Sequence, residues 1–131
     1  MSFSSYLVGT WERRFGLGTT IQIVNPTLDY VEVLIAFLDD KEECLKTMKS
    51  ELSPNDIWEI PVPKLKKKKF GVVKVISHRD HKAELGIVGF QRHILAIPKP
   101  VEIAFSEAPL AAIPKKYAQP ELERLLEKCP H

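Results

Sequence analysis

The sequence predicts an all-β protein, an antiparallel β-sandwich or small barrel that ends in a Pro-rich tether and one short C-terminal helix. Apolar and polar residues alternate through residues 20–37, on both sides of an Asn25-Pro26 turn. Alternation is the period of a pleated strand, whose side chains point to opposite faces of a sheet. Turn residues recur at short intervals, and helical spacing is almost absent before the end of the chain. Together these observations predict the fold class.

The predicted strands follow the alternation from one turn cluster to the next. Residues 43–52 also fit one face of a helix, but they end in the turn cluster 53–56, so we interpret them as a strand. Residues 70–77 and 85–91 are predicted to form a hairpin across a charged loop. The predicted strands are residues 6–11, 19–24, 30–38, 43–52, 57–62, 70–77, 85–91, 94–97 and 101–105.

Residues 57–62 are predicted to lie at the edge of a sheet. Trp58, Ile60 and Val62 alternate with polar positions and should share one face. Pro61 and Pro63 have no backbone N–H to donate to a neighbouring strand, and strands with proline are found at sheet edges.

The character of the chain changes after residue 105. Pro109, Pro114 and Pro120 interrupt any long element, so we divide the chain into a β-sandwich domain, 1–105, and a tether with a helix, 106–131. Pro120 suits the first position of a helix, and the leucines that follow at helical spacing and should dock are Leu122, Leu125 and Leu126. So short a helix is marginal alone and must dock on this domain or on a neighbouring subunit.

The order of strands and turns resembles that of a known family. A strand ends in an Asn-containing turn (Ile21-Gln22-Ile23-Val24-Asn25-Pro26), an apolar strand ends in aspartates (Leu34-Ile35-Ala36-Phe37-Leu38-Asp39-Asp40), and a Pro-Asn turn follows (Leu52-Ser53-Pro54-Asn55-Asp56). This order is similar to the small cytoplasmic β-sandwich proteins known as sensory rhodopsin transducers. The resemblance implies a non-enzymatic, oligomeric signalling or binding protein.

Composition narrows the class of protein. With 131 residues the chain has the size of one domain, and its 44% apolar and 27% charged residues are typical of a globular protein. A net charge of +2 does not by itself predict binding to a polyanion. Cys44 and Cys129 lack the spacing of a disulfide scaffold or a zinc site, so we expect reduced thiols and a cytoplasmic protein. No segment approaches the roughly 20 consecutive apolar residues needed to cross a bilayer, so we expect no membrane insertion.

Histidines and lysines supply the candidate binding residues. His78, Arg79 and His81 cluster in the loop predicted after the sixth strand, and His93 follows nearby. Imidazoles and a carboxylate can hold a divalent metal, but the spacing is weak, and a solvated loop is the favoured interpretation. We therefore assign no metal site, cofactor or catalytic residue.

Lys66, Lys67, Lys68 and Lys69 form a positive run that could contact phosphates. No aromatic residues are interleaved for base stacking, and lysines commonly protect a sheet edge from aggregation. A solvated loop is again the favoured interpretation.

Two strands are apolar on both faces, residues 30–38 and 85–90. A two-layer sandwich buries one face of each sheet, so the second face needs the helix, the tether or another subunit. Trp11 and Trp58 are expected in the core rather than at a partner surface.

From the two-sided strands and the family resemblance we expect a non-enzymatic homo-oligomer that binds a partner protein or small ligand, with a role in signal transduction. The alternatives are nucleic-acid binding through the lysine run and a metal-dependent enzyme at the His78/His81 loop.

Overall fold

Two antiparallel sheets and one helix make up the computed structural model, which describes residues 2–13, 17–66, 68–79, 87–96 and 102–129. The first sheet has the strand order β4-β3-β6-β1-β9 and the second has the order β5-β2-β7-β8. The strands are β1 (Ser2–Glu12), β2 (Leu17–Val24), β3 (Val31–Asp39), β4 (Cys44–Leu52), β5 (Ile57–Pro61), β6 (Phe70–Arg79), β7 (Val88–Ala96), β8 (Glu102–Pro109) and β9 (Ala111–Ala112). A 3₁₀ turn, Lys115–Tyr117, leads into helix α1 (Ala118–Lys128). The predicted all-β sandwich-like fold with a short C-terminal helix is confirmed.

The main core lies between the two sheets. Alternate residues of each strand point inward, which gives β3 its inner face of Val31, Val33, Ile35 and Phe37. Trp11 is fully buried there, and its indole N–H donates to the carbonyl oxygen of Leu38 at 2.9 Å. The expectation that Trp11 belongs to the core is confirmed, and a half-buried Trp58 packs against the same core.

Strands β4 and β5 occur as predicted. β4 pairs antiparallel with β3, which resolves the ambiguity of this segment in favour of a strand. β5 pairs with β2 and lies at the edge of the second sheet, in agreement with its prolines. Ile60 and Val62 are buried, as their alternation predicts.

The second half of the chain differs from the prediction in three ways. β6 and β7 do not form a hairpin, because β6 pairs with β1 and β3 whereas β7 pairs with β2 and β8 in the other sheet. The separate strands predicted on either side of Arg92 and His93 are one strand, β7. The tether predicted from Ser106 instead contributes to strand β8 and to β9, which pairs with Leu7 and Val8 of β1.

Asn25 joins the corners at which the chain changes sheets. Its side chain is fully buried, and the amide Nδ2 donates to the carbonyl oxygens of Asp29, Leu52 and Ser53 at 2.8, 3.1 and 3.0 Å. Its Oδ1 accepts a hydrogen bond from the hydroxyl of Thr27 at 2.6 Å. One side chain therefore holds the β2–β3 corner against the end of β4.

Helix α1 covers the outer face of the first sheet. Ala118, Leu125 and Cys129 are buried in a second cluster, together with Ala36 and Leu38 of β3 and other residues (Tyr6, Cys44 and Ile76). The second face of β3 is thus covered within the same chain. Among the three leucines expected to dock, Leu125 is buried and Leu122 partly buried, but Leu126 is 41% exposed, so its predicted burial is wrong. Within the described residues, no helix is both long and apolar enough to cross a membrane.

The cysteines are paired, which corrects the expectation of reduced thiols. Cys44, the first residue of β4, forms a disulfide with Cys129, the residue after α1, across a sequence separation of 85. A register shift after Phe37 pairs Leu38 with Cys44, which turns Cys44 toward the helix while Leu45 enters the main core. The pairing arises from this irregularity and from the docked helix, so cysteine spacing did not indicate it.

Candidate binding groove beside helix α1

A groove opens where α1 crosses the edge of the first sheet. Its volume is about 460 Å³, which is within the roughly 300–1,000 Å³ that ligand sites occupy. Strands β3, β4 and β6 and helix α1 line it with Glu32, Val33, Leu34, Lys49, Ser50, Glu51, Ile76, Leu122 and Leu126. We call this feature the groove.

Cross-strand pairing explains the base of the groove. Leu34 of β3 lies opposite Ile76 of β6 on one side and Lys49 of β4 on the other. Leu34 and Ile76 are buried even though they belong to the outer face of the sheet, because the helix stands over them. The base is therefore apolar, with the exposed Lys49 at the open edge of β4.

Two carboxylates flank the groove. Glu32 and Glu51 are exposed and lie directly opposite each other across β3 and β4. Like charges placed opposite each other in an antiparallel pair destabilise the sheet slightly, so this pairing does not serve stability. The rim of the groove therefore combines an acidic pair with the ammonium of Lys49.

The helix supplies the remaining wall through Leu122 and Leu126, one turn apart on the same face. The leucine stripe recognised in the sequence thus serves two purposes. Leu125 anchors the helix to the sheet, whereas Leu126 leaves part of its side chain facing the groove and solvent.

A network of four charges fixes the helix next to the groove. Lys74 of β6 donates to Glu121 at 2.7 Å, Arg124 donates to the same carboxylate at 2.9 Å, and Glu42 lies 3.9 Å from Lys74 and 3.8 Å from Arg124. Burial, with the added repulsion from Glu121, raises the pKa of the neighbouring Tyr6 to about 12. These groups hold α1 against the sheet through their ion pairs. No pattern in the sequence indicated this network.

Three of the four lysines of the run are described, and they lie in the connection between β5 and β6. Lys66 has a positive φ of 47°, and Lys68 lies 3.6 Å from the carboxylate of Asp39. Lys66, Lys68 and Lys69 are exposed, and the carbonyl of Lys69 accepts from the backbone N–H of Arg13 at 2.7 Å. Lys67 lies outside the described residues. Nucleic-acid binding through this run stays the alternative hypothesis.

The histidines do not lie in one loop. His78 and Arg79 are the last residues of β6, not loop residues, and they pair with Phe3 and Ser2 of β1. His93 lies in β7 of the other sheet, where its Nδ1 is 2.9 Å from the hydroxyl of Thr19. His81 lies outside the described residues. No group of three potential metal ligands occurs among the residues that the structure describes.

Comparisons with known proteins bear on the fold only. No protein-family model matches the chain, and no curated protein matches it. The structure is similar to the crystal structure of Thermotoga maritima 1070, with a TM-score of 0.55 and 13% sequence identity. The similarity covers 85% of this chain and 96% of that chain. At this level of identity the likeness supports a shared fold and says nothing about a shared ligand.

Proposed function

We propose that the protein is a non-enzymatic, homo-oligomeric β-sandwich that binds a small ligand or a side chain of a partner protein in the groove, with a role in signal transduction. The observation that carries this proposal is the groove itself, which has an apolar base of Leu34 and Ile76 and a charged rim. Apolar pockets with a few polar groups at their margin are the usual form of a ligand site.

The ligand we propose has an apolar body small enough for the groove and a polar end that reaches the rim. Burial of the apolar body supplies the affinity, at about 25 cal/mol per Å² removed from water. The glutamates and Lys49 then orient the polar end. A peptide side chain or a free small molecule meets these requirements equally.

The test uses anilinonaphthalene sulfonate, an apolar dye whose fluorescence rises on burial. We expect it to bind the native protein, and we expect Leu126→Glu to weaken binding about tenfold, equivalent to about 1.4 kcal/mol. Leu126 is 41% exposed, so this change should leave the fold intact. Leu28→Glu is the control, because Leu28 is 87% exposed and does not line the groove. Equal loss in both variants, or no dye binding by the folded native protein, contradicts the proposal.

The outer face of the second sheet is the surface we propose for self-association. Ile57, Val24 and Val88 lie in one cross-strand row, and Phe90 lies on the same face. Ile57 is 54% and Val88 42% exposed in the isolated chain. Helix α1 already covers the outer face of the first sheet, so the exposed apolar residues that favour assembly lie on the outer face of the second sheet.

Light scattering at micromolar concentration tests the assembly. We expect a mass above that of one chain for the native protein and a monomer for Val88→Lys, which places a charge at one end of the row. Lys46→Glu is a control for a charge change away from this face. A monomeric native protein contradicts the proposal of an oligomer.

The cytoplasm remains the proposed location, and there the disulfide has a particular meaning. Thiols in that compartment are kept reduced, and the disulfides that do occur are mostly transient, catalytic or redox-sensing. Mass spectrometry of protein alkylated during lysis of the producing cell measures how much Cys44–Cys129 bond is present. Complete and permanent oxidation contradicts a cytoplasmic location.

A further inference from the structure

The disulfide joins the two structural parts that form the groove. Cys44 begins β4, the edge strand that carries Lys49 and Glu51, and Cys129 follows directly after α1, which carries Leu122 and Leu126. The two Cα atoms are 5.1 Å apart. The bond therefore ties the start of β4 to the end of α1, three residues after Leu126.

The helix has few other attachments to the sheet. Ala118 and Leu125 are its fully buried residues among those described, and Leu122 is partly buried. The charge network adds two polar anchors, one from Glu121 to Lys74 and one from Arg124 to Glu42. A helix of 11 residues is marginal in water without tertiary contacts, so its position depends on these contacts and on the disulfide.

The anchors are unevenly distributed along the helix. Ala118, Glu121, Arg124 and Leu125 hold its first two turns, whereas Cys129 holds its end. Leu126, the groove residue nearest that end, is 41% exposed and adds little burial of its own. Loss of the disulfide would therefore free the last turn of α1, including Leu126, before it frees the first.

We propose that Cys44–Cys129 is a reversible redox latch that holds the last turn of α1 in place and thereby controls the groove, an inference that rests on the proposed function. The reductant is a dithiol of the thioredoxin class. One of its thiolates attacks a sulfur of the Cys44–Cys129 bond to form a mixed disulfide, and its second thiol then displaces the protein thiolate. Two electrons and two protons pass to the protein, which gains two thiols, and the reductant leaves as a disulfide.

Access to the bond follows from the same geometry. Cys44 and Cys129 are 5% and 4% exposed, so a reductant reaches the sulfurs when the last turn of the helix opens. Local openings of this kind occur at free energies well below that of global unfolding. The closed latch thus resists reduction, and a ligand that bridges both walls of the groove should slow reduction further.

Hydrogen exchange of the native chain tests the latch without any substitution. We expect dithiothreitol to speed exchange of the amides in the last turn of α1 by about tenfold or more, while the amides of β3 and β6 stay protected. The double variant Cys44→Ser/Cys129→Ser is the control, and its α1 exchange should match that of the reduced native protein and not respond to dithiothreitol. Unchanged α1 exchange after complete reduction, or loss of protection throughout both sheets, overturns the proposal.

Dye binding separates this inference from the proposed function. We expect anilinonaphthalene sulfonate to bind the oxidised and reduced native protein with affinities that differ about fivefold or more, because one wall of the groove moves. Equal affinity in both states overturns control of the groove by the latch. Absence of dye binding in both states overturns the proposed function, whereas helix exchange still reports whether the disulfide acts as a latch.

Discussion

The ammonium of Lys74 lies 2.7 Å from the carboxylate of Glu121, so a strand residue of the first sheet is paired with the helix that covers it. The side chains of Lys74 and Glu121 are 9% and 14% exposed. A charge that is so far removed from water needs a partner, because burying it alone costs several kcal/mol. The pair thus determines where α1 can dock, in addition to the apolar contacts of Leu125.

Replacing Glu121 with Gln should destabilise the protein by about 2–3 kcal/mol. Removal of one partner from a fully buried pair costs about 3–5 kcal/mol, and the remaining contact of Glu121 with solvent lowers the expected value. Urea unfolding of the oxidised protein measures the change. Glu123→Gln is the matched control, because Glu123 is exposed on the same helix and hydrogen-bonds with Gln119 at 2.8 Å. Equal stability of the two variants would show that the Lys74–Glu121 pair contributes nothing.

The same pair should make stability depend on pH. Burial alone raises the pKa of Glu121, but the hydrogen bonds from Arg124 and Lys74 outweigh it and hold the pKa below its ordinary value of 4.5. A carboxylate with a lowered folded pKa contributes stability above pH 4.5, and the contribution is lost as the pH falls through the folded pKa.

Unfolding free energies measured from pH 7 to pH 2.5 test this dependence. The native protein should lose more stability in acid than Glu121→Gln, since the variant has no carboxylate to protonate at that position. Asp39, whose pKa is also lowered by hydrogen bonds from the backbone of Glu43 and Lys41, accounts for part of the loss that remains in the variant. Parallel pH curves for the two proteins would remove Glu121 as a source of the acid sensitivity.

The sequence predicted the elements that leave a pattern among neighbouring residues of one segment. Alternation identified β2 to β6, because burial of one sheet face makes every second residue apolar. The prolines placed β5 at an edge, because they have no N–H to donate to a neighbouring strand. The polar Arg92 and His93 interrupted the alternation of β7. Arg92 pairs with Glu107 at 3.2 Å and His93 with the hydroxyl of Thr19, so both satisfy their polar groups within the sheet.

The groove could be predicted only on its helix side. The spacing of Leu122, Leu125 and Leu126 marks a helical face, but it does not show which leucine faces the sheet and which remains half open. The opposite wall depends on the pairing of β3 with β4 and β6, and the disulfide depends on a register shift after Phe37. Pairings between distant strands and single-residue shifts have no local signature in one sequence.

Leu125 and Leu126 should differ sharply in their effect on stability although they are adjacent. Leu125→Ala should cost about 2–4 kcal/mol, since its side chain is 2% exposed and the change leaves a cavity under α1. Leu126→Ala should cost less than about 1 kcal/mol, because much of that side chain is already in water. Denaturant unfolding at two protein concentrations checks both variants. A cost for Leu126 that grows at lower concentration would place this residue in a contact between subunits.

Asn25→Asp should strongly destabilise the protein although it replaces only the amide nitrogen with an oxygen. The substitution keeps the size of the side chain but removes the amide that donates to the carbonyls of Asp29, Leu52 and Ser53. A carboxylate oxygen would then face these carbonyl oxygens in a fully buried position, and an unpaired buried group costs about 1–3 kcal/mol, more when it is charged.

Thermal unfolding at pH 7 and pH 4 measures the effect of Asn25→Asp. We expect a loss of about 3 kcal/mol or more at pH 7 and partial recovery at pH 4, because a protonated carboxyl regains one donor. The control is Asn55→Asp at the neighbouring turn, where the side chain is exposed and φ is 62°, a conformation that Asp also tolerates. That variant should stay within about 0.5 kcal/mol of the native protein. If Asn25→Asp has the same melting temperature as the native protein at pH 7, the corner that joins β2, β3 and β4 does not depend on this amide.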